Sequence, residues 1–524
     1  MRDTARITYL SAGSSESFHA DFEEAQRRLV ARLGSLERCS IDGEGSASGL
    51  RRGVVSPVDR ELVLGEIEQA TAVEAGRAVD AAAAGFAAWR RTPWPERVEI
   101  LRRAAAGISA RRLELAALMV VEVGKTRIEA MAEVEESADL LTYYAGLMEA
   151  EDGYGRDMAR LVESEATGSV LRPYGAWAVI PPFNFPLALA AGMVSAALVT
   201  GNTVVLKPSQ DAPFSGARLA EILWKAGVPR SVLHLVFGPG DVVGSALLAH
   251  PRTAGTAFTG SWEVGMSIVR AAPREWPRPV VVEMGGKNPA IVTAAAEVEA
   301  AAEGIARSAF GFGGQKCSAC SRAYVAREVA EALIDGLTAR ARAMVVGDPR
   351  QRDVALGPLI AGREVEKYRR WLDAIEEGGG TVLCGGRVLD EGDLARGHYV
   401  EPVVATLPDL DHPAWSEELF LPVLLVHEVA DLSEGIALAN RSRYGLTAGL
   451  FSRDAEEVTR FLDEIEAGVT YVNRRSGATT GAWPGVNPFG GWKASGGTGP
   501  AALGPHYLLK FLREQSRTVN EVAL

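Results

Sequence analysis

The segment FGFGGQKCSACSR (310–322) carries the residue best prepared for nucleophilic chemistry, Cys317. A cysteine nucleophile needs a lowered pKa or a nearby base, small neighbours that admit substrate, and donors for the oxyanion it creates. Cys317 follows Gly311, Gly313 and Gly314, with Lys316 before it and Ser318 after it. A single cysteine is more often a small buried hydrophobe, but polar Gln315, Lys316 and Ser318 argue against an apolar core. Cys320 lacks that preparation and reads as structural. The C-x-x-C spacing invites a metal or dithiol reading, yet no second cysteine pair completes a zinc site, so no metal is expected.

Three further segments hold residues suited to the same chemistry. In VVVEMGGKNP (280–289), Glu283 ends a β-branched run and precedes a double glycine. A carboxylate there sits on rigid backbone while Gly285 and Gly286 let other groups approach; taken alone it reads as a solvated strand-end glutamate. In IPPFNFP (180–186), Asn184 follows a strand and offers a side-chain N–H as oxyanion donor, or else a turn. In AFTGSWEVG (257–265), Gly260, Ser261 and Gly265 span a strand-to-helix junction whose N–H groups suit a phosphate. GPGDVVG (238–244) misses the dinucleotide glycine spacing by one and reads as loop and cap.

Composition narrows the partners. The chain has 524 residues, 47% hydrophobic and 23% charged, with a formal charge of −12. That is ordinary globular composition, and its sign opposes binding to nucleic acid or an anionic membrane. Glycine is in excess, 56 of 524 residues, which suits many tight turns and close backbone approaches. Four cysteines are too few for a disulfide framework in a chain this long. The N-terminal MRDTARITYLSAG lacks a signal-peptide apolar core, and Pro186 to Val199 is too short to span a bilayer. A cytoplasmic protein is expected.

The elements that must position these residues follow from periodicity. Residues 1–49 read as a separate helical preface, with FEEAQRRLVARLGSL (22–36) at helical spacing before a polar Gly/Ser stretch. Helices are predicted near 73–90, 95–119 and 127–149, the last carrying Glu133, Glu135, Glu136 and Asp139. From about 173, short β-rich runs alternate with helices, as AWAVI, TVVLKP, VLHLVFG and AGTAFTG do. That rhythm predicts an α/β fold with parallel sheets. A second alternation follows VVVEMGGKNPAIV, through RAYVAR, TVLCGG and LPVLLVHEV. The expected division is 50–285, with a hairpin arm at about 157–172; 286–485; and a return segment, 486–524, ending in an edge strand.

Taken together and in order, Asn184, the TVVLKPS segment, Gly260–Gly265, Glu283 in EMGGKNP, Cys317 in GQKC, Glu418 and Phe420 in EELF, and NPFGG at 487–491 resemble the aldehyde dehydrogenase superfamily. The resemblance covers about 50–515. It implies two Rossmann-type parallel-sheet domains plus a small β oligomerisation arm, and a homo-oligomer, dimer or higher. It implies that Cys317 attacks an aldehyde, that Asn184 and the Cys317 backbone N–H hold the oxyanion, and that Glu283 activates water against a thioester. It implies NAD as cofactor. Lys207, with Ser209 and Gln210, would hold the adenine ribose, Ser261 within Gly260–Gly265 the pyrophosphate, Glu418 the nicotinamide ribose, and Phe420 would pack beside the nicotinamide. Gln210 replaces a glutamate common in NAD-preferring members, so NADP is expected to be tolerated. Leu421 replaces the usual glycine.

Within the superfamily, FGFGGQKCSACSR and the tail NPFGGWKASGGTGPAALGPHYLLKFLREQS are similar to the branch that oxidises L-glutamate γ-semialdehyde in proline catabolism. That similarity implies that Ser318, Gly477 and Ala478 anchor the substrate α-carboxylate while Phe185 and Phe489 clamp its stem. Asp139 is the candidate for the ammonium, with a solvated helix face as the equal alternative reading. The stretch TTGAWPGVNPF (479–489) is longer than the branch pattern. The alternative substrate is another small polar aldehyde such as succinate semialdehyde.

Overall fold

The computed structural model describes residues 8, 15–272, 275–476 and 483–521. Two sheets dominate. The first has five parallel strands in the order Val280–Glu283, Thr253–Thr259, Ala176–Ile180, Thr203–Leu206, Leu233–Leu235. The second has seven, from an antiparallel edge strand Thr381–Cys384 through Val403–Thr406, Val423–Val429, Cys320–Ala326, Asn288–Val292 and Thr447–Phe451 to Val469–Val472. Strands with buried residues on both faces, such as Thr203–Leu206 and Asn288–Val292, read as continuous apolar runs because helices cover both sides. The chain passes from one sheet to the other within 284–287.

A three-stranded antiparallel arm joins Gly155–Asp157, Glu165–Pro173 and the C-terminal strand Leu512–Asn520. That last strand pairs residue for residue with Glu165–Pro173, which gives the polar/apolar tail its partner.

Two elements differ from their sequence-based expectation. The predicted helix 95–119 is two helices, Trp94–Ala110 and Arg112–Val123, broken at Arg111 (φ −106, ψ 15). The N-terminal region is helical at Glu16–Val30, but it is not a separate preface. Ser35–Glu37 pairs with Val63–Glu68, Ser40 bridges to Leu235 at the edge of the five-stranded sheet, and Cys39 and Ile41 are buried. Two apolar side chains in a Gly/Ser-rich stretch carry no periodicity, so their burial left no sequence pattern.

Helix Arg127–Ala150 matters most to the site. Its start is set by a capping box, Thr126 with Glu129. Nearly two turns in, Glu133 forms a fully buried ion pair with Lys125, whose ammonium also lies 3.6 Å from the centre of the Phe185 ring. The other Glu133 oxygen accepts from the Leu187 and Ala188 N–H groups (2.9 and 3.1 Å), capping helix Ala188–Val199. Burial pushes the Lys125 pKa down, against the pull of Glu133. Removing one partner of a buried pair strands the other, at about 3–5 kcal/mol. Glu133→Ala is therefore expected to lose stability on that scale in urea denaturation; a loss below about 1 kcal/mol contradicts the pair's role.

Candidate active site

Glu283 closes its strand in the five-stranded sheet, and its Oε2 accepts from the Gly491 N–H at 3.2 Å. Burial pushes its carboxyl up to about 7, opposed by Lys510 and by the Gly491 N–H. The next two glycines are required by space. A Cβ at Gly285 would lie 2.0 Å from Glu418 Oε2, and one at Gly286 would lie 2.3 Å from the Cys317 carbonyl oxygen. The Gly286 N–H donates to Glu418 Oε1 at 2.9 Å, and burial raises that carboxyl also to about 7. Asn288, a residue the sequence reading passed over, donates from Nδ2 to the carbonyls of Cys317 (2.7 Å) and Ala319 (2.9 Å). Its Oδ1 accepts from Thr447 N–H at 3.0 Å, so one amide ties the nucleophile's loop to two strands. The only sequence signal for it was its place directly after the Gly-Gly-Lys turn.

The approach to Cys317 is left-handed over Phe312 (φ 52), Gly313 and Gly314, and a Cβ at Gly314 would meet the Leu421 carbonyl at 2.2 Å. Leu421 itself is buried in the core of the second sheet. Gln315 is fully buried and bonded through both ends of its amide, accepting from Ile360 N–H and donating to the Phe312 and Pro358 carbonyls. Its backbone carbonyl accepts from Asn184 Nδ2 at 3.0 Å, which sets the asparagine beside the nucleophile's loop. Burial, then the Glu418 and Glu283 carboxylates, push the Cys317 thiol up to about 12. The resting group is a thiol, and a base must take its proton. Lys316 is no help to it: its ammonium pairs with Glu129 at 3.3 Å. Cys320 is buried, with its backbone N–H donating to Ser308 Oγ, as a structural residue would be.

Cys317 lines two cavities. The larger, about 980 Å³, is walled by Lys207, Ser209 and Gln210 at one end and by Asn184, Glu418 and Phe420 near the thiol. Lys207 is buried, with Nζ donating to the Pro208 and Gly238 carbonyls, and burial lowers it to about 8. Gly260 and Ser261 face the same space, and Ser261 caps helix Trp262–Ala271, whose first turn faces the cavity. Gly265 is absent from the lining. A Cβ there would lie 2.5 Å from Met284 Sδ, so the packing of this helix against Met284 requires a glycine.

The smaller cavity, about 100 Å³, is bounded by Glu283, Cys317, Ser318, Phe185 and Phe489. Besides Glu283, the carboxylate that lines it is Glu136, and Asp139 does not line it. Glu136, Leu140 and Tyr144 fall at i, i+4 and i+8 on helix Arg127–Ala150 and so share the face that lines it. Asp139 looks into a separate depression with Arg102 and Arg112, and its Oδ2 accepts from Trp483 Nε1 at 2.6 Å. That bond fastens the segment leading to Phe489 against the helix. Gly477 and Ala478, expected at the substrate carboxylate, lie outside the described residues.

A family model described as the aldehyde dehydrogenase family matches residues 46–516. The chain belongs to this family. It is 37% identical over 512 residues to a 1-pyrroline-5-carboxylate dehydrogenase of Geobacillus sp. (strain WCH70), covering 96% of each. It is 37% identical over 508 residues to 1-pyrroline-5-carboxylate dehydrogenase 2 of Bacillus subtilis (strain 168), again covering 96% of each. Among solved structures, 1-pyrroline-5-carboxylate dehydrogenase from Thermus with bound NAD superposes with a TM-score of 0.92 at 35% identity, covering 99% of this chain and 100% of that one.

For an aldehyde dehydrogenase the crossing at Gly286 bears most directly on the reaction, because its neighbour is backbone and displacing the Cys317 carbonyl displaces the nucleophile. Misplacing a reacting group by about 1 Å costs on the order of 100-fold in rate. Gly286→Ala is expected to lose that much in kcat while its circular dichroism stays that of the parent. A kcat within about twofold of the parent contradicts the constraint.

Proposed function

We propose that the chain oxidises L-glutamate γ-semialdehyde, the open form of 1-pyrroline-5-carboxylate, to L-glutamate with NAD, in proline catabolism. The observation that carries this reading is the position of Cys317, at the junction of a cavity of dinucleotide size and a small apolar sleeve closed by a carboxylate. The cofactor fit rests on a helix N-terminus for pyrophosphate and a buried lysine for ribose, with Glu418 and Phe420 beside the thiol. When bound, NAD accepts the hydride that leaves the substrate carbon.

The chain's own groups do the rest. Cys317 Sγ attacks the aldehyde carbon as its proton passes to water, and Glu283, which lines the same cavity, stays unprotonated for the second half-reaction. The oxyanion meets Asn184 Nδ2 and the Cys317 backbone N–H. After oxidation the substrate is a thioester on Cys317. Glu283 then takes a proton from water as its oxygen attacks the acyl carbon, and the C–S bond breaks to release the carboxylate product. A carboxyl raised to about 7 suits this, since a base near ambient pH is both unprotonated and basic enough.

In the smaller cavity Phe185 and Phe489 flank the stem, and Ser318 would meet the α-carboxylate with Gly477 and Ala478. Glu136 takes the ammonium role first assigned to Asp139. It also favours this substrate over succinate semialdehyde, which would bring a second carboxylate with no ammonium to offset it. The neutral Gln210 side chain supports use of NADP beside NAD. Among the described residues no helix is long and apolar enough to cross a membrane, and we take the enzyme to be cytoplasmic. The arm, with exposed Met158, Leu161 and Val162 at its tip, supports a homo-oligomer, dimer or higher.

Steady-state kinetics with NAD should give a kcat/KM for 1-pyrroline-5-carboxylate at least about tenfold above that for succinate semialdehyde, the worth of one unfavourable charge pair. The reverse preference overturns the substrate assignment. Because Glu283 must be unprotonated to act, kcat should rise with pH through about 7 and level off above it. In Glu283→Gln that rise should vanish; an unchanged profile in the variant contradicts the assignment of the base.

A further inference from the structure

At the far end of the larger cavity three chain segments converge on one carboxylate. Asp211 follows Gln210 directly, and its backbone N–H donates to Ser209 Oγ at 3.3 Å. Arg52, on strand Arg51–Val55, donates from Nη1 to the Gln210 carbonyl at 2.8 Å and places Nη2 3.5 Å from Asp211 Oδ1. Arg363, on helix Gly362–Glu377, bonds from Nη2 to Asp211 Oδ2 and lies 3.2 Å through Nε from Glu364. All of these residues line the cavity beside Lys207, as does Lys367.

We propose that Arg52 and Arg363 form a receptor for the 2′-phosphate of NADP, in which Asp211 is the resident counter-ion that the phosphate replaces. This rests on the reading that the larger cavity takes a dinucleotide with its adenine ribose at Lys207.

A guanidinium presents a planar fork of donors that fits carboxylate and phosphate oxygens alike. Two such forks aimed at one carboxylate from separate parts of the chain therefore describe a site that a phosphate can enter by exchange. Ribose at Lys207 puts its 2′-oxygen on the side of Ser209 to Asp211, which is where both forks point. Asp211 keeps about a fifth of its side chain exposed (22%), so its carboxylate can turn to water when displaced. Arg52 is fixed by the Gln210 backbone rather than by Asp211 alone, so it stays in place during the exchange. With NAD the carboxylate remains paired to both arginines, and the same site tolerates a bare 2′-hydroxyl. Gln210 adds no charge against the phosphate, and the arginines hold it, with Glu364 beside Arg363.

The test uses the full chain and two nucleotides that lack nicotinamide, AMP and adenosine 2′,5′-bisphosphate, titrated calorimetrically without aldehyde. The ratio of their dissociation constants reads the 2′-phosphate alone. In the parent the bisphosphate is expected to bind at least as tightly as AMP. Arg52→Ala and Arg363→Ala should each shift the ratio about tenfold against the bisphosphate, and Arg52→Lys, which keeps charge without the fork, by less. Asp211→Asn should shift it toward the bisphosphate. AMP binding in each variant reports that the cavity is intact. The NADP to NAD ratio of kcat/KM should follow the same order. A parent that binds AMP about tenfold more tightly, or a ratio unmoved by both arginine variants, overturns the proposal while leaving the dinucleotide reading in place. Failure of both nucleotides to bind the parent removes the dinucleotide reading and this proposal together.

Discussion

The chain crosses from the five-stranded to the seven-stranded sheet through a gap that admits backbone only. At Gly285 the limiting neighbour is the Glu418 carboxylate, and at Gly286 it is the Cys317 carbonyl. Both contacts are shorter than any side chain allows, so the double glycine brings base, nucleophile and Glu418 to one point. The five-stranded sheet's parallel register supplies the remaining groups, since Glu283, Asn184, Lys207 and Ser261 all lie at or just beyond the carboxyl ends of its strands. In open α/β sheets that is the edge where ligands bind. Asn288 completes the junction by holding the Cys317 loop from the other side.

Burial at this point has a single electrostatic consequence for several groups. It favours the neutral forms of Cys317, Glu283 and Glu418, and it lowers buried Lys287 to about 7. The thiol therefore rests neutral, the two carboxyls gain and lose protons near neutral pH, and amide donors are already in place where negative charge develops on the reacting atoms. The overall charge of −12 is no obstacle to anionic ligands under this arrangement. Recognition is local, through a helix N-terminus, backbone N–H groups and a few cations at the cavity ends.

What could be read from sequence was what chemistry and backbone geometry both demand. Cys317 stands out by its glycine approach and polar neighbours, whereas Glu283 and Asn184, which alone read as a solvated glutamate and a turn, take their roles from the resemblance to the family. The two α/β alternations were legible because buried parallel strands are apolar runs and their helices are amphipathic. Within the acidic cluster of helix Arg127–Ala150, residue type alone does not separate Asp139 from Glu136. Only the i, i+4, i+8 stripe with Leu140 and Tyr144 tells which carboxylate faces the cavity. Gly265 suggests a phosphate turn by its place at a strand-to-helix junction, and its lack of a side chain also makes room for Met284, which only the fold reveals. Asn288 acts through tertiary hydrogen bonds to residues 29 and 31 positions away, which no local pattern encodes.

Two half-reactions take place at one sulfur, and Glu283 is needed to clear the second. The most direct measurement is the intact mass of Glu283→Gln after mixing with 1-pyrroline-5-carboxylate and NAD. The expected result is a burst of NADH with one γ-glutamyl group per chain, mapped to the Cys317 peptide and removed by hydroxylamine. Steady product release by that variant without any acyl adduct on Cys317 would contradict it.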